Sequence, residues 1–294
     1  MSTQKFSFKD KKDLLKLRLY DKVQRWLLPT VGRKQSEEAI KSYEFRDDDI
    51  IIATYMKSGT TLLQMLLYQL LTDGRMDFTH IYQKSPFIEE TMVRGGRLDK
   101  YPSPRILKTH FYYDFFPPEM KGRFIVCVRN GMDVAVSKYH HYLNYNVPDL
   151  TWQDFYNKYW LDKNESYFPH VQGWLENEHN FDIYYLYYED LISNKRSAIE
   201  GIARFLNISP TEETIQRVID RTDFSFMKEH QDKFGEPLPG QYLEEYYSMG
   251  FGRKYFSSEQ QSMFSQLYKQ HLSRFGLRHG LVISPNNPTP AASR

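Results

Sequence analysis

The sequence has only one cysteine, Cys127, among its 294 residues, so no disulfide can form within the chain. Such scarcity is typical of proteins from reducing compartments. No apolar run approaches the roughly 20 residues that a membrane-spanning helix requires. The first residues of the sequence are polar and lack the apolar core of a signal peptide. These absences predict a soluble, cytoplasmic protein with no membrane partner.

Excess charge is also lacking, because 39 basic and 37 acidic residues leave a formal net charge of +2. This balance predicts no general affinity for nucleic acid, and an anionic ligand would need a local basic cluster. Hydrophobic residues make up 40% of the sequence, enough for the core of one large domain. We expect that domain over residues 1–284 and a disordered tail over 285–294, which is rich in Pro, Asn and Ala.

The most informative segment follows a largely β-branched run at residues 50–54. There the sequence Lys-Ser-Gly-Thr-Thr (57–61) precedes an apolar pattern of helical length. This order predicts a buried strand, a tight loop and a helix N-terminus. Backbone N–H groups and the helix dipole can bind an anion there, and Lys57 adds a full positive charge. The alternative is an ordinary strand–turn–helix joint capped by Ser58 or Thr60.

This loop is not a Walker A motif. That motif places a glycine five residues before its Gly-Lys pair, whereas Lys57 precedes Gly59 here. The difference disfavours a P-loop kinase or ATPase. A nucleotide phosphotransferase is still an alternative function, but it would require Mg²⁺ and a Walker-type loop.

Two further apolar runs end in polar residues. The run at 104–107 leads into Lys108 and His110, and the run at 124–128 leads into Arg129. Ligands of open α/β sheets bind beyond the carboxyl ends of the strands, so we expect these side chains in a site. A purely structural histidine is the alternative for His110. The sequence at 181–190 predicts another buried strand, which ends in acidic residues.

A helix is predicted to begin near Asp133 and to carry Ser137 one turn later. Arg129 could then bind a phosphate bidentately, with Ser137 as a second donor. The alternative is a surface salt bridge between Arg129 and Asp133.

Together these segments resemble the cytosolic-type sulfotransferases, which use 3′-phosphoadenosine 5′-phosphosulfate (PAPS) as the sulfuryl donor and release 3′-phosphoadenosine 5′-phosphate (PAP). The resemblance covers most of the chain and rests on five segments in the family's order: 54–61, 108–110, 129–137, 167–171 and 188–190. It implies one α/β domain, with a central parallel sheet flanked by helices and a P-loop-like phosphosulfate loop. Sulfuryl transfer needs positioning and cations, so no metal is expected.

The resemblance also implies roles for matching residues. His110 would be the general base, and its usual pKa of about 6.5 suits proton removal near neutral pH. The transferring group would be stabilised by Lys57 and Lys108. The donor would be bound by Lys57, Ser58, Gly59, Thr60 and Thr61 at the 5′-phosphosulfate, by Arg129 and Ser137 at the 3′-phosphate, and by Tyr188, Thr222 and Phe224 at the adenine.

The sequence departs from the family at two places in the donor site. Leu62 stands where the family has an adenine-stacking tryptophan. The family's Arg-Lys-Gly clamp for the 3′-phosphate has no match, because residues 245–247 are Glu-Tyr-Tyr. We expect Arg253 and Lys254 to supply that charge from a glycine-rich loop. Gly250 and Gly252 would make this loop a flexible lid over the anion, although the two cations could equally be solvated surface charges. The family's dimerisation motif is not evident, so the oligomeric state stays open.

The acceptor is expected to be a small molecule that offers a hydroxyl or an amine. Family position assigns Phe87, Glu89, His141 and Tyr145 to its pocket, together with His110. Phe87 and Glu89 lie in a segment predicted to be loop. Because this set is polar and acidic, we expect a polar or cationic natural product, unless the glutamates face water. A non-catalytic nucleotide-binding member of the fold is the other alternative function.

Overall fold

The computed structural model describes residues 38–277 except 39, 42, 94–95, 146–149, 162–165 and 235–249. The predicted tail at 285–294 and the Glu-Tyr-Tyr segment at 245–247 lie outside the described residues. No helix among the described residues is both long and apolar enough to cross a bilayer.

Four parallel strands form the sheet, in the order β2-β1-β3-β4. They span Ile50–Thr54 (β1), Ile106–Thr109 (β2), Arg123–Val128 (β3) and Asp182–Tyr187 (β4). Successive side chains of a strand point to opposite faces, and β3 illustrates this. Phe124 and Val126 join the apolar core on one face, whereas Ile125 and Cys127 join the core on the other. Both faces of the sheet are therefore covered.

Helices provide that cover, and most of them follow the apolar periodicity of the sequence. The α-helices among the described residues are Thr60–Leu71 (α1), Ile88–Val93 (α2), Gly131–Tyr145 (α3), Trp152–Phe155 (α4), Tyr167–Glu176 (α5), Tyr188–Ser193 (α6), Lys195–Phe205 (α7), Glu212–Arg221 (α8), Phe224–Glu229 (α9) and Ser258–His271 (α10). Helix α4 continues into a π-helical turn, Tyr156–Trp160. Short 3₁₀ turns span Ile81–Gln83, Tyr113–Phe115, Gln231–Lys233, Gly252–Lys254 and Ser273–Phe275.

Two predictions about elements were wrong. The run that forms β4 was expected to be another buried strand, but Tyr185 is 40% exposed, and β4 pairs only with β3 among the described strands. The segment around Phe87 was expected to be loop, but Ile88 begins α2, which contains Glu89. The predicted α/β fold with a central parallel sheet is confirmed.

The strand order sets the position of a site. After β1 the chain adds β2 on one side and then crosses to add β3 on the other, so the direction of winding reverses at β1. Ala53 pairs with Thr109 on β2 and with Val126 on β3, which places the carboxyl ends of the three strands at one edge. Ligands of open α/β sheets bind at such a switch point.

Candidate active site

The loop after β1 has the features of an anion site. Lys57 and Gly59 adopt positive φ angles of 67° and 89°, which turn the chain sharply into α1. In the described structure the N-terminus of α1 has no side-chain cap and no acidic residue in its first turn. The hydroxyl oxygen of Ser58 is buried and has no hydrogen-bond partner among the described residues. Capping by Ser58 or Thr60, the alternative from the sequence, is therefore not what the loop does.

Arg129, just after β3, reaches into this loop from the neighbouring strand. Its Nη1 donates to the carbonyl oxygen of Lys57 at 2.9 Å, a contact between residues 72 positions apart. Its guanidinium also lies 4.2 Å from the ring centre of Tyr188. A Cβ on Gly59 would come within 2.7 Å of that ring, so only glycine fits here. Arg129 is 2% exposed, which excludes the surface salt bridge considered from the sequence.

Helix α3 contributes a second buried hydroxyl, that of Ser137, and a carboxylate, that of Asp133, which binds the loop at Gly250 and Gly252. Ser137 Oγ, like that of Ser58, is buried without a partner in the described part of the chain. The carboxylate of Asp133 accepts hydrogen bonds from the backbone N–H groups of Gly250 and Gly252, both at 2.7 Å. Burial raises the pKa of Asp133, and these bonds and Arg129 oppose the increase. Asp133 thus holds the glycine-rich loop against the start of α3.

His110, just after β2, is held in one tautomer. Its Nδ1 lies 2.8 Å from the carbonyl oxygen of Thr54, which can only accept, so Nδ1 carries the hydrogen and Nε2 carries the lone pair. Burial, followed by the charge of Lys108, lowers the pKa of His110 well below its usual value. The imidazole is therefore neutral near pH 7, as a general base must be.

Glu89 supports His110 from α2. Its Oε1 accepts hydrogen bonds from the backbone N–H of His110 at 2.5 Å and from the Thr109 hydroxyl at 3.0 Å. Burial raises the pKa of Glu89 to about 7, against the effect of these bonds. The glutamate therefore does not face water, and this oxygen is committed to the protein itself.

The amine of Lys108 lies against two aromatic rings. Its Nζ is 4.2 Å from the ring centre of Phe87 and 4.8 Å from that of Tyr82, and it donates to the Tyr82 hydroxyl at 2.7 Å. The ring of Phe87 also meets that of His110 edge-on, 5.3 Å between centroids. The structure thus brings together three residues predicted from the sequence, Lys108, His110 and Phe87.

His141 belongs to the same cluster of charges. Burial lowers its pKa well below the usual value, and nearby Lys57, Lys108 and Lys138 lower it further. Lys138 is fully buried and donates to the Tyr55 hydroxyl at 3.1 Å. Tyr145 ends α3, and its side chain lies outside the described part of the structure.

The residues predicted for the adenine are less concentrated. The Thr222 hydroxyl donates to the carbonyl oxygen of Val218, at 2.6 Å, within the turn that ends α8. Phe224 begins α9 and is partly buried. Leu62 is 3% exposed and belongs to the apolar core, so it offers no face to a base.

The side chains of Arg253 and Lys254 are exposed on the 3₁₀ turn that follows Gly252. Arg253 Nε donates to Gln261 Oε1 at 3.3 Å. The turn that carries them lies beside the start of α3, because Gly252 contacts Met132 and Asp133.

Sequence reasoning missed two residues of the site. Tyr82 was not predicted. The available signal was an aromatic residue four positions before Pro86, in the segment that precedes β2. Lys138 lies next to Ser137, and a lysine inside the apolar pattern of α3 was the available signal. Neither lies at the end of a strand, so the strand-end rule did not find them.

Comparison with known proteins identifies the family. The family model of the sulfotransferase domain matches residues 47–276. Sulfotransferase 1B1 of Mus musculus is 35% identical over 260 residues, which cover 80% of this chain and 86% of that protein. Sulfotransferase 1A1 of Bos taurus is 32% identical over 253 residues, which cover 80% and 85% of the two chains.

Solved structures share the fold. A retinol dehydratase, solved with androsterone and the inactive cofactor PAP, has a TM-score of 0.71 and 21% identity over 84% of this chain and 87% of that one. A mouse sulfotransferase, SULT7A1, solved with PAP, has a TM-score of 0.62 and 22% identity over 82% and 90%. Because the family model spans most of the chain and a relative exceeds 30% identity over four-fifths of it, this protein belongs to the sulfotransferase family.

Proposed function

We propose that this protein transfers a sulfuryl group from PAPS to a hydroxyl or an amine of a small-molecule acceptor. The observation that carries the proposal is the contact of Arg129 with the carbonyl of Lys57. This contact joins the two segments that we assign to the donor phosphates, at the switch point of the sheet, and a nucleotide with phosphates on two positions requires such an arrangement. The buried hydroxyls of Ser58 and Ser137, one in each segment, supply matching donors.

The residues present fit such a donor. An uncapped helix N-terminus, a buried arginine and two buried hydroxyls are groups that bind phosphate oxygens well. Two solved proteins of similar fold contain PAP. We therefore assign the donor to Lys57, Ser58, Gly59, Thr60 and Thr61 at the 5′ end, to Arg129 and Ser137 at the 3′-phosphate, and to Tyr188, Thr222 and Phe224 at the adenine.

The clamp that the family resemblance implies for the 3′-phosphate needs a substitute here. We propose that Arg253 and Lys254 provide it, by turning from solvent toward the start of α3 when a donor is bound. Their backbone is already held there through Asp133 and the two glycines. Replacing both with alanine should weaken PAP binding, and unchanged binding would exclude them from the site.

The chemistry expected of the protein follows from its own side chains. When bound, PAPS supplies the sulfuryl group, whose bond to phosphate breaks as a bond to the acceptor forms. His110 accepts the acceptor's proton at Nε2, the nitrogen that the Thr54 carbonyl leaves with a lone pair. Lys57 and Lys108 offset the negative charge on the transferring group and on the departing phosphate. Glu89 holds the backbone of His110 in position.

The acceptor proposal changes in one respect. A polar or cationic acceptor was expected, with aromatic and acidic side chains such as Phe87 and Glu89 to bind the cationic group. However, Lys108 lies over the ring of Phe87, and Oε1 of Glu89 bonds to the protein. A second cation beside Lys108 would be repelled. We therefore propose a polar acceptor that His141 contacts, without a cationic group near the reacting atom.

A transfer assay tests the function. The protein would be incubated with ³⁵S-labelled PAPS and a panel of phenols, alcohols and amines, with EDTA present. We expect labelled product, its loss in His110→Asn and its retention in His271→Gln, a histidine on α10. Transfer that persists in His110→Asn would contradict the role of the base. PAP binding without any transfer would favour a non-catalytic nucleotide-binding protein, and Mg²⁺-dependent transfer from ATP would favour a phosphotransferase.

A further inference from the structure

The surroundings of Lys108 were not predicted from the sequence. The lysine is buried, at 6% exposure, and its Nζ donates to the hydroxyl of Tyr82 at 2.7 Å. The amine also lies 4.2 Å from the ring centre of Phe87 and 4.8 Å from that of Tyr82. Two aromatic rings and one phenol oxygen thus surround the ammonium group.

The local chain builds this arrangement from both sides. Phe87 pairs with Lys108 as an extra bridge beside β2, and the backbone N–H of Lys108 donates to the carbonyl of Pro86 at 2.9 Å. On the other side, Tyr82 sits in the 3₁₀ turn Ile81–Gln83. His80 caps that turn by accepting from the Tyr82 N–H at 3.2 Å. The position of both rings relative to Lys108 is therefore set by backbone contacts.

The chemistry of the group explains what the arrangement does. An ammonium has three N–H donors on a flexible four-carbon stem, so its direction is normally loose. The phenol oxygen takes one donor and thereby fixes the direction of the Nζ atom. The ring of Phe87, whose centre lies 4.2 Å from Nζ, attracts the positive charge and replaces part of its lost hydration. A buried lysine can in this way keep its charge and point in one direction.

We propose that Tyr82 is the positioning residue of Lys108, and that its hydroxyl aims the ammonium at the group being transferred. The effect of Tyr82 on Lys108 stands on the contacts above, and only its effect on turnover rests on the proposed sulfuryl transfer. Tyr82 itself does not touch the reacting atoms in this account. It acts through the lysine.

Trace labelling of lysines tests the positioning without any enzymatic activity. The native protein, Tyr82→Phe and Tyr101→Phe would be treated with trace acetic anhydride, and labelling of Lys108 would be quantified by mass spectrometry. Tyr101 is the matched control, because its hydroxyl donates to the backbone carbonyl of Tyr82, at 3.4 Å, rather than to Lys108. We expect Lys108 labelling to rise several-fold in Tyr82→Phe only. Equal labelling in all three proteins would overturn the proposal.

Turnover tests the consequence. Tyr82→Phe should lower kcat about tenfold, the order expected for a hydrogen bond to a charged group, with the PAP affinity and the Tm unchanged. In a Lys108→Met background the same change should have no further effect, because the two residues act as a unit. Additive losses would show that Tyr82 acts independently of Lys108 and would overturn the proposal. A native protein without turnover would count against sulfuryl transfer, whereas the labelling result still decides the role of Tyr82.

Discussion

At the scale of single residues, the buried hydroxyls of Ser58 and Ser137 indicate a ligand site. Neither hydroxyl stabilises the fold through a hydrogen bond to another described residue. A buried polar atom without a partner costs free energy in the folded protein. Ser58 and Ser137 both carry that cost among the described residues, and both belong to the segments assigned to the donor phosphates. We interpret them as hydroxyls kept for the ligand.

Ser137→Ala should therefore have opposite effects on stability and on binding. The free energy of unfolding should stay within about 0.5 kcal/mol of the native value or rise, because the lost hydroxyl made no bond. The Kd for PAP should rise at least about tenfold, since a hydrogen bond to a charged group is lost. Urea unfolding and calorimetry measure the two quantities.

Ser265→Ala is the control for that experiment, because its hydroxyl already donates to a backbone carbonyl on α10, that of Gln261. It should leave PAP binding unchanged. A Ser137→Ala protein that is clearly destabilised yet binds PAP normally would contradict our interpretation.

Glu89 gives the protein a predictable pH dependence. Its pKa is about 7 in the folded protein, above the value of 4.5 for an exposed glutamate. The folded protein therefore holds a proton that the unfolded chain releases, so this contribution to stability is complete below about pH 4.5 and is lost as the pH rises through about 7. At about 1.4 kcal/mol per pKa unit, the loss amounts to about 3 kcal/mol.

Glu89→Gln should remove this dependence, because an amide oxygen can still accept from His110 but does not titrate. The difference in unfolding free energy, native minus variant, should fall between pH 4.5 and pH 7 when measured by urea unfolding at each pH. Contributions of all other groups cancel in that difference. A difference that stays constant with pH would show that Glu89 does not hold a proton in the folded protein.

Residues at strand ends could be predicted from the sequence, but the contacts that orient them could not, because Tyr82 was missed and Glu89 was assigned to the acceptor pocket. Lys57, His110 and Arg129 each follow an apolar run, so the strand-end rule was enough. Tyr82 and Glu89 act through contacts with residues 26 and 21 positions away, respectively. Such contacts depend on how the segment ahead of β2 packs, which no local pattern records.

At the scale of elements, the glycine-rich loop is more firmly placed than its composition suggested. From the sequence, Gly250 and Gly252 indicated a flexible lid. In the structure both donate to the carboxylate of Asp133 at the start of α3. A Cβ on Gly252 would overlap backbone atoms of Met132 and Asp133, whereas a Cβ on Gly250 would meet no atom of the described residues within 4 Å. The loop is docked by close backbone contact.

Two alanine substitutions should separate docking from backbone strain. Gly250→Ala places a side chain at a φ of 76° where it meets none of the described residues, so it should cost about 1 kcal/mol of unfolding free energy. Gly252→Ala should cost more, about 2–3 kcal/mol, and should weaken PAP binding, because the loop must move away from α3. Urea unfolding and calorimetry measure both effects. Equal losses in the two variants would contradict the docking.

Element boundaries followed local signals closely where capping residues were present. Helix α10 begins after Ser257, which forms a capping box with Gln260, as a Ser with Gln three residues later predicts. The burial of β4 could not be predicted in this way. An apolar run looks the same in a central strand as in the strand next to it, and only the order of the sheet distinguishes the two.

At the scale of the whole molecule, the arrangement depends on strand order. Lys57 and Arg129 meet because β1 and β3 are neighbours, although β2 lies between them in sequence. The sequence predicted a parallel sheet with a site at its carboxyl edge, and both follow from the apolar runs and the residues after them. It did not predict which strands are adjacent. In our proposal the choice of acceptor depends on side-chain packing around Lys108 and His141, and this packing too could not be predicted from the sequence.

The central claim is that the segments led by Lys57 and Arg129 together bind one nucleotide. The most direct measurement is calorimetric titration with PAP, in EDTA, of the native protein and of Lys57→Ala and Arg129→Met. Arg97→Ala is the control, because that arginine is exposed and pairs with Asp99. We predict binding with a stoichiometry of one in the native protein and the control. Affinity should fall at least about tenfold in each of the other two variants, with Tm values showing that both are folded. A native protein that does not bind PAP, or folded variants that bind it as tightly as the native protein, would contradict the account.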